Sequence, residues 1–123
     1  MPVEHASDHP TFELGGNTIT SLSAPARGSR EVALFRTELP PGGGIPPHTH
    51  DHFDVFVVLA GELTFHLGDE VAELAVGDSA VVPIGVRHHL EAGTEGATIL
   101  VAMLGGTRML REDGSELVPG WVR

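Results

Sequence analysis

The sequence predicts an all-β domain, a sandwich or barrel, and three observations carry that expectation. Sixteen glycines and nine prolines divide the 123 residues into short segments. No apolar pattern of period 3.6 persists for three helical turns. Between the turn residues lie short runs rich in Val, Ile, Thr and Phe, the composition of strands bounded by turns. At this length one domain over residues 1–123 is expected, large enough to bury about two-thirds of its extended surface.

The elements follow in order. "FELG" and "TITSLS" flank a turn at Gly15-Gly16-Asn17, and "EVALFRTEL", residues 31–39, is the third strand. Residues 40–47, "PPGGGIPP", are too rich in Pro and Gly for regular structure and are expected to be a loop. They are no phosphate-binding loop, which needs Gly-Lys-Ser/Thr opening a helix. Then come "DVFVVLAG", "ELTFHLG", "VAELAV", "SAVVP", "HHLEA" and "TILVAML" as short strands. The tail, residues 105–123, contains "TRMLREDGSELV", read as a hairpin turning at Asp113-Gly114.

Composition narrows the chemistry. The formal net charge is −10, and no basic stripe is present to neutralise phosphates, so neither nucleic acid nor an anionic membrane is an expected partner. The sequence contains no Cys, Lys or Tyr. Thiolate nucleophiles, sulfur-ligated metals and Schiff bases are therefore excluded. The first ten residues lack the basic and apolar regions of a secretory signal, and no apolar run reaches membrane-span length, so a cytoplasmic protein is the expectation.

The chemistry-bearing stretch is "HTHDHFD", residues 48–54. Side chains alternate faces along a strand, so His48, His50, His52 and Asp54 are expected on one face, together with Phe56, Val58 and Ala60. Imidazoles and a carboxylate opening a strand that is apolar on both faces are costly without a partner, and a metal ion is such a partner. Further along, "VPIGVRHHLEA" supplies another candidate. If His88 faces inward, so does Leu90, leaving His89 and Glu91 outside. The opposite phase would bury Glu91 and expose Leu90, so His88 is chosen. In "ELTFHLG" the apolar set is Leu63, Phe65 and Leu67, which puts His66 on the solvent face with Glu62 and Thr64. His5 and His9 sit in a polar segment and are read as solvated.

At these residues the sequence resembles the cupins. Gly42, five residues, His48, one residue, His50, three residues, Asp54, six residues and Gly61 follow the first cupin motif, 42–61. Gly77, five residues, Pro83, one residue, Gly85, two residues and His88 follow the second, 77–92. Two departures stand out: Asp54 replaces the usual Glu, and Ala92 stands where Asn is frequent. The resemblance implies an antiparallel jelly-roll barrel holding one divalent transition metal (Fe, Mn, Ni, Co, Cu or Zn) through His48, His50, Asp54 and His88. Asp reaches about 1.5 Å less far than Glu. His52 is accordingly the alternative fourth ligand, with Asp54 then orienting an imidazole or acting as a general base.

Other residues receive blander readings. Arg36 interrupts the less apolar face of its strand and is expected outside, Arg87 points away from the metal, and Glu70 and Glu73 are loop charges. Trp121 is expected to cover an edge or a subunit contact. Val55, Val57 and Leu59 need a cover on the outer face, either a second sheet or a copy across a two-fold axis, and the resemblance implies a homodimer.

The functional expectation is a metal-dependent enzyme acting on a small, aromatic or largely apolar molecule. Its pocket would be lined by Phe56, Val58 and Leu90, with His52 or Asp54 for acid/base work. The resemblance suggests a dioxygenase, with a redox-neutral isomerase, cyclase or dehydratase as the alternative. A metal- or ligand-sensing module without turnover is the third reading.

Overall fold

The computed structural model describes residues 3–123. Ten strands form one antiparallel sheet that curls on itself as a jelly-roll barrel, and among the described residues the only helical pieces are three 3-10 turns. The strands are β1 (Thr11–Leu14), β2 (Asn17–Ser23), β3 (Val32–Leu39), β4 (Gly44–His50), β5 (Asp54–Leu67), β6 (Glu70–Leu74), β7 (Ser79–Val82), β8 (His88–Leu104), β9 (Met109–Arg111) and β10 (Glu116–Leu117). All-β structure with a cupin-type barrel is what the sequence predicts.

Two long strands organise the barrel. β8 pairs with β5 along nearly its whole length, while its other edge takes β4 at the start and β3 at the end. The sequence reading divided each into two short strands, at Gly61 and around residues 93–96. Those glycines instead mark where continuous strands bend: register shifts fall between Val58 and Ala60 and between Gly61 and Leu63. Gly61 has φ +75°, and a Cβ there would lie 2.1 Å from the Gly96 carbonyl oxygen. Only glycine lets the two backbones approach so closely. The bend also resets the pleat. Phe56 and Val58 face inward before it and Leu63 and Phe65 after it, so Ala60 is exposed rather than sharing their face.

Residues 40–47 depart from the predicted loop, because β4 begins at Gly44. Its ladder to β8 shifts between Ile45 and His48. Pro46 and Pro47, which have no N–H to donate, occupy that gap.

The core follows the period-two pattern. On β3, Ala33, Phe35, Thr37 and Leu39 are buried while Val32 and Glu38 are exposed. Arg36 lies on that outer side, 3.5 Å from Glu38 Oε1. Phe35, Phe56, Leu63, Phe65, Leu90 and Ile99 belong to one buried cluster. The C-terminal turn Gly120–Val122 joins it: Trp121 is buried edge-on to Phe12, ring centroids 5.6 Å apart. Trp121 is thus part of the barrel interior rather than an edge cover. On the outer surface Val55, Leu59 and Val81 are exposed in the single chain. The tail hairpin turns near Asp113-Gly114, as expected, with Met109 opposite Leu117.

A candidate metal centre in the barrel

β4 ends with His48 and His50, β5 begins with Asp54, and β8 begins with His88. The register sets His48 directly opposite His88. That pairing joins two motifs far apart in the chain. All four side chains are buried. Ring centroids lie 4.2 Å apart for His48 and His88, 4.7 Å for His48 and His50, and 5.0 Å for His50 and His88. Each imidazole offers one nitrogen such that the three atoms lie within 4.8 Å of one another.

Backbone carbonyls orient two of the rings. His48 Nδ1 donates to the Pro46 oxygen at 2.7 Å and His88 Nδ1 to the Val86 oxygen at 2.9 Å. A ring that donates through Nδ1 keeps its lone pair on Nε2, so both present an Nε2 acceptor. Burial, with the neighbouring His88 and His50 imidazoles, pushes the His48 pKa down to about 3, against an opposing contribution from the Pro46 carbonyl. Burial likewise lowers that of His88. Neutral imidazoles are the form that binds metal.

Asp54 stands beside this trio. Its Oδ1 is 3.6 Å from His50 Nδ1, and both atoms are buried without a hydrogen-bond partner. The separation is too long for a hydrogen bond. It is close to the about 3.4 Å that separates two ligand atoms on one tetrahedral ion with bonds near 2.1 Å. Three converging imidazoles, with a buried carboxylate beside them and two orphaned polar atoms, fit a divalent metal.

His52 does not join them. The chain leaves extended structure at residues 51–53, so the expected common face of positions 48, 50, 52 and 54 is broken at the third. The His52 side chain turns outward, 41% exposed, with Nδ1 2.8 Å from Asp51 Oδ1. Asp51 in turn accepts the Arg108 N–H at 2.8 Å, which explains the bend.

A cavity of about 530 Å³ lies over the trio. Phe56 and Leu90 line it, with Ile19, Phe35, Val101 and Met103. Val58 does not: it is buried in the core away from the cavity. Trp121 also lines it, as do Asn17 and Thr37. The sequence reading assigned none of these three to the pocket, since each reaches it through strand pairing or the return of the tail. Asn17 donates through Nδ2 to the Gly44 oxygen at 3.0 Å, tying β2 to β4. The exposed lining residues Leu14, Arg111, Glu112 and Asp113 mark the mouth.

A buried set of three imidazoles at the base of an apolar β-barrel pocket defines a barrel protein with a candidate metal site. The family model of the cupin domain matches residues 35–104, and the chain belongs to the cupins. It is 30% identical over 71 residues to an oxalate-binding protein of Thermotoga maritima, a match covering 57% of this chain and 59% of that protein's length. Among solved structures, the polyketide cyclase RemF of Streptomyces resistomycificus superposes with a TM-score of 0.74 at 26% identity, covering 85% of this chain and 79% of that one. An RmlC-like cupin of Shewanella frigidimarina gives 0.73 at 22% identity, covering 89% and 92%.

Proposed function

We propose that this protein is a metal-dependent enzyme whose substrate is a small, largely apolar, ring-bearing molecule. In this reading His48, His50 and His88 are the neutral ligands and Asp54 the anionic one. A divalent ion bound there supplies Lewis-acid polarisation of a substrate oxygen and, if redox-active, access to dioxygen chemistry. The chain's own part is to hold the rings neutral and oriented, to exclude water, and to place the substrate. Phe56, Leu90 and Trp121 offer apolar and aromatic surface to a planar ring.

The observation that carries this reading is the apolar cavity directly over the buried trio. It also disfavours a small dianion such as the oxalate in the Thermotoga protein's name. Arg111, at the exposed mouth, is the only Arg or Lys in the lining among the described residues. Of the two reaction types expected from sequence, the redox-neutral one, ring closure or isomerisation, has the better support. Its support is the 26% identity to a polyketide cyclase. Oxygenation is the second reading, which a redox-active ion held by His48, His50, His88 and Asp54 would supply.

The test begins with the metal content of protein purified without a His-tag. Turnover of a panel of phenolic and polyketide-like substrates is then followed with and without oxygen. One bound equivalent in the barrel and conversion that continues anaerobically are expected. Conversion that stops without oxygen and consumes it would move the assignment to a dioxygenase. Stoichiometric metal and tight ligand binding without any turnover would make the protein a sensor.

A further inference from the structure

A second group of ligand types lies on the outer face of β8 and its neighbour β5. β5 and β8 set His66 opposite His89 and Thr64 opposite Glu91. The two rings stack with centroids 3.9 Å apart and planes 9° from parallel, so one ring must turn about its Cβ–Cγ bond before both in-plane lone pairs meet on one ion. Glu91 reaches both: Oε2 is 3.7 Å from His66 Nε2, and Oε1 is 3.6 Å from His89 Nε2. One donor atom from each residue lies within 4.8 Å of the others. Chain neighbours thus serve opposite faces, His88 inside and His89 outside.

From this geometry we infer that His66, His89 and Glu91 form a second divalent-metal site, of the kind that takes Zn²⁺, with a fourth position open to solvent. Three features carry the inference. First, His66 Nε2 is buried and has no hydrogen-bond partner. Second, both imidazole–carboxylate gaps are near the about 3.4 Å between neighbouring ligands of a tetrahedral ion. Third, the surroundings attract a cation. Glu62 lies two residues before Thr64 on the same strand, and Glu73 of β6 accepts the Thr64 hydroxyl at 3.0 and 3.1 Å. The whole chain carries a formal charge of −10. Two imidazoles, one carboxylate and an open position match zinc sites that retain a water.

This site is independent of the barrel centre, and the experiment keeps the two apart. Tag-free protein is stripped with a chelator, titrated with ZnCl₂ by calorimetry, desalted, and its bound zinc counted. The wild-type protein is expected to retain two equivalents. The double variant His66→Gln/His89→Gln retains one, and so does Glu91→Gln, a change at an exposed carboxylate that leaves the core untouched. The His88→Gln protein also retains one, which the outer substitutions then remove. An equal zinc count in the wild type and both outer variants overturns the inference. So does a second equivalent that washes off on desalting. Loss of zinc in His88→Gln alone, with the outer variants unchanged, would sustain the barrel centre and sink the outer site.

Discussion

Two histidine clusters meet at β8, the inner one shared with β4 and the outer one with β5, and they differ in what surrounds the rings rather than in what the rings are. Inside, His48, His50 and His88 are buried, and carbonyls of Pro46 and Val86 hold two of them in a single tautomer. Outside, His66 and His89 rest on each other with side chains 26% and 22% exposed, and a solvent-facing carboxylate bridges their Nε2 atoms. Two of the inner rings are fixed by the backbone and all three are buried before anything binds, so little ordering remains for binding to do. The outer rings are partly exposed, and stacked face to face they meet on one ion only after a ring turns. Preorganisation and burial, more than ligand identity, set the inner cluster apart.

The contrast can be broken most severely from within. His88→Ala is expected to abolish metal retention in the barrel while leaving any zinc held by the outer group, as read by metal analysis of the desalted protein. A protein that keeps its barrel metal without His88 would remove that residue from the ligand set. Next comes the apolar lining beside the inner site. Phe56 is buried and edge-on to Phe65, centroids 5.2 Å apart. Phe56→Ala is expected to cost about 3–5 kcal/mol in denaturant-unfolding free energy. A loss below about 1 kcal/mol would mean the lining collapses to fill the gap.

Asp54→Asn keeps the shape and removes the charge. It is expected to weaken barrel-metal affinity by at least about 10- to 100-fold, the range lost even with a partner that only orients a ligand. Competition against a chelator measures it, and unchanged affinity would take Asp54 out of the site.

Acid sharpens the comparison further. In the metal-free protein His48 titrates near 3 when folded, against 6.5 ordinarily. Below pH 6.5 the unfolded chain takes up a proton that the folded state refuses. Stability is therefore full above that value and declines as pH falls toward 3. Urea midpoints of the apo-protein should drop with acidification, and His48→Gln should flatten the dependence. The smallest effect belongs to His52, exposed and turned toward Asp51. His52→Ala is expected to change stability by no more than about 0.5 kcal/mol and to leave metal content unchanged. A loss of metal there would restore it as a ligand.

Much of this was legible beforehand, for local reasons. The phase of Leu90 placed His88 inward and His89 outward, and the apolar set Leu63, Phe65 and Leu67 placed His66 outside. The structure agrees on all three, because a pleated strand ties burial to parity. The same rule misplaced His52 and Ala60, where the strand is interrupted by the bend at residues 51–53 or reset at Gly61. Proline content hid β4, since Pro46 and Pro47 fall where its ladder skips a register step. Glycines that look like turn residues turned out to be bends within β5 and β8. Val58 shares its face with Phe56 but lies too deep to touch the cavity.

What the chain's own order of residues determined is the set of groups available and the side of the strand each one takes. The pleat dictates that within a few residues, and the absence of Cys and Lys confines the chemistry to imidazole, carboxylate and whatever they bind. The tertiary structure alone decided which groups meet. His48 faces His88, and His66 faces His89, through pairings of β8 with β4 and β5. Register between distant strands depends on how the whole barrel closes around its core. Trp121 reaches the cavity for the same reason, carried there by a tail whose path no local pattern specifies.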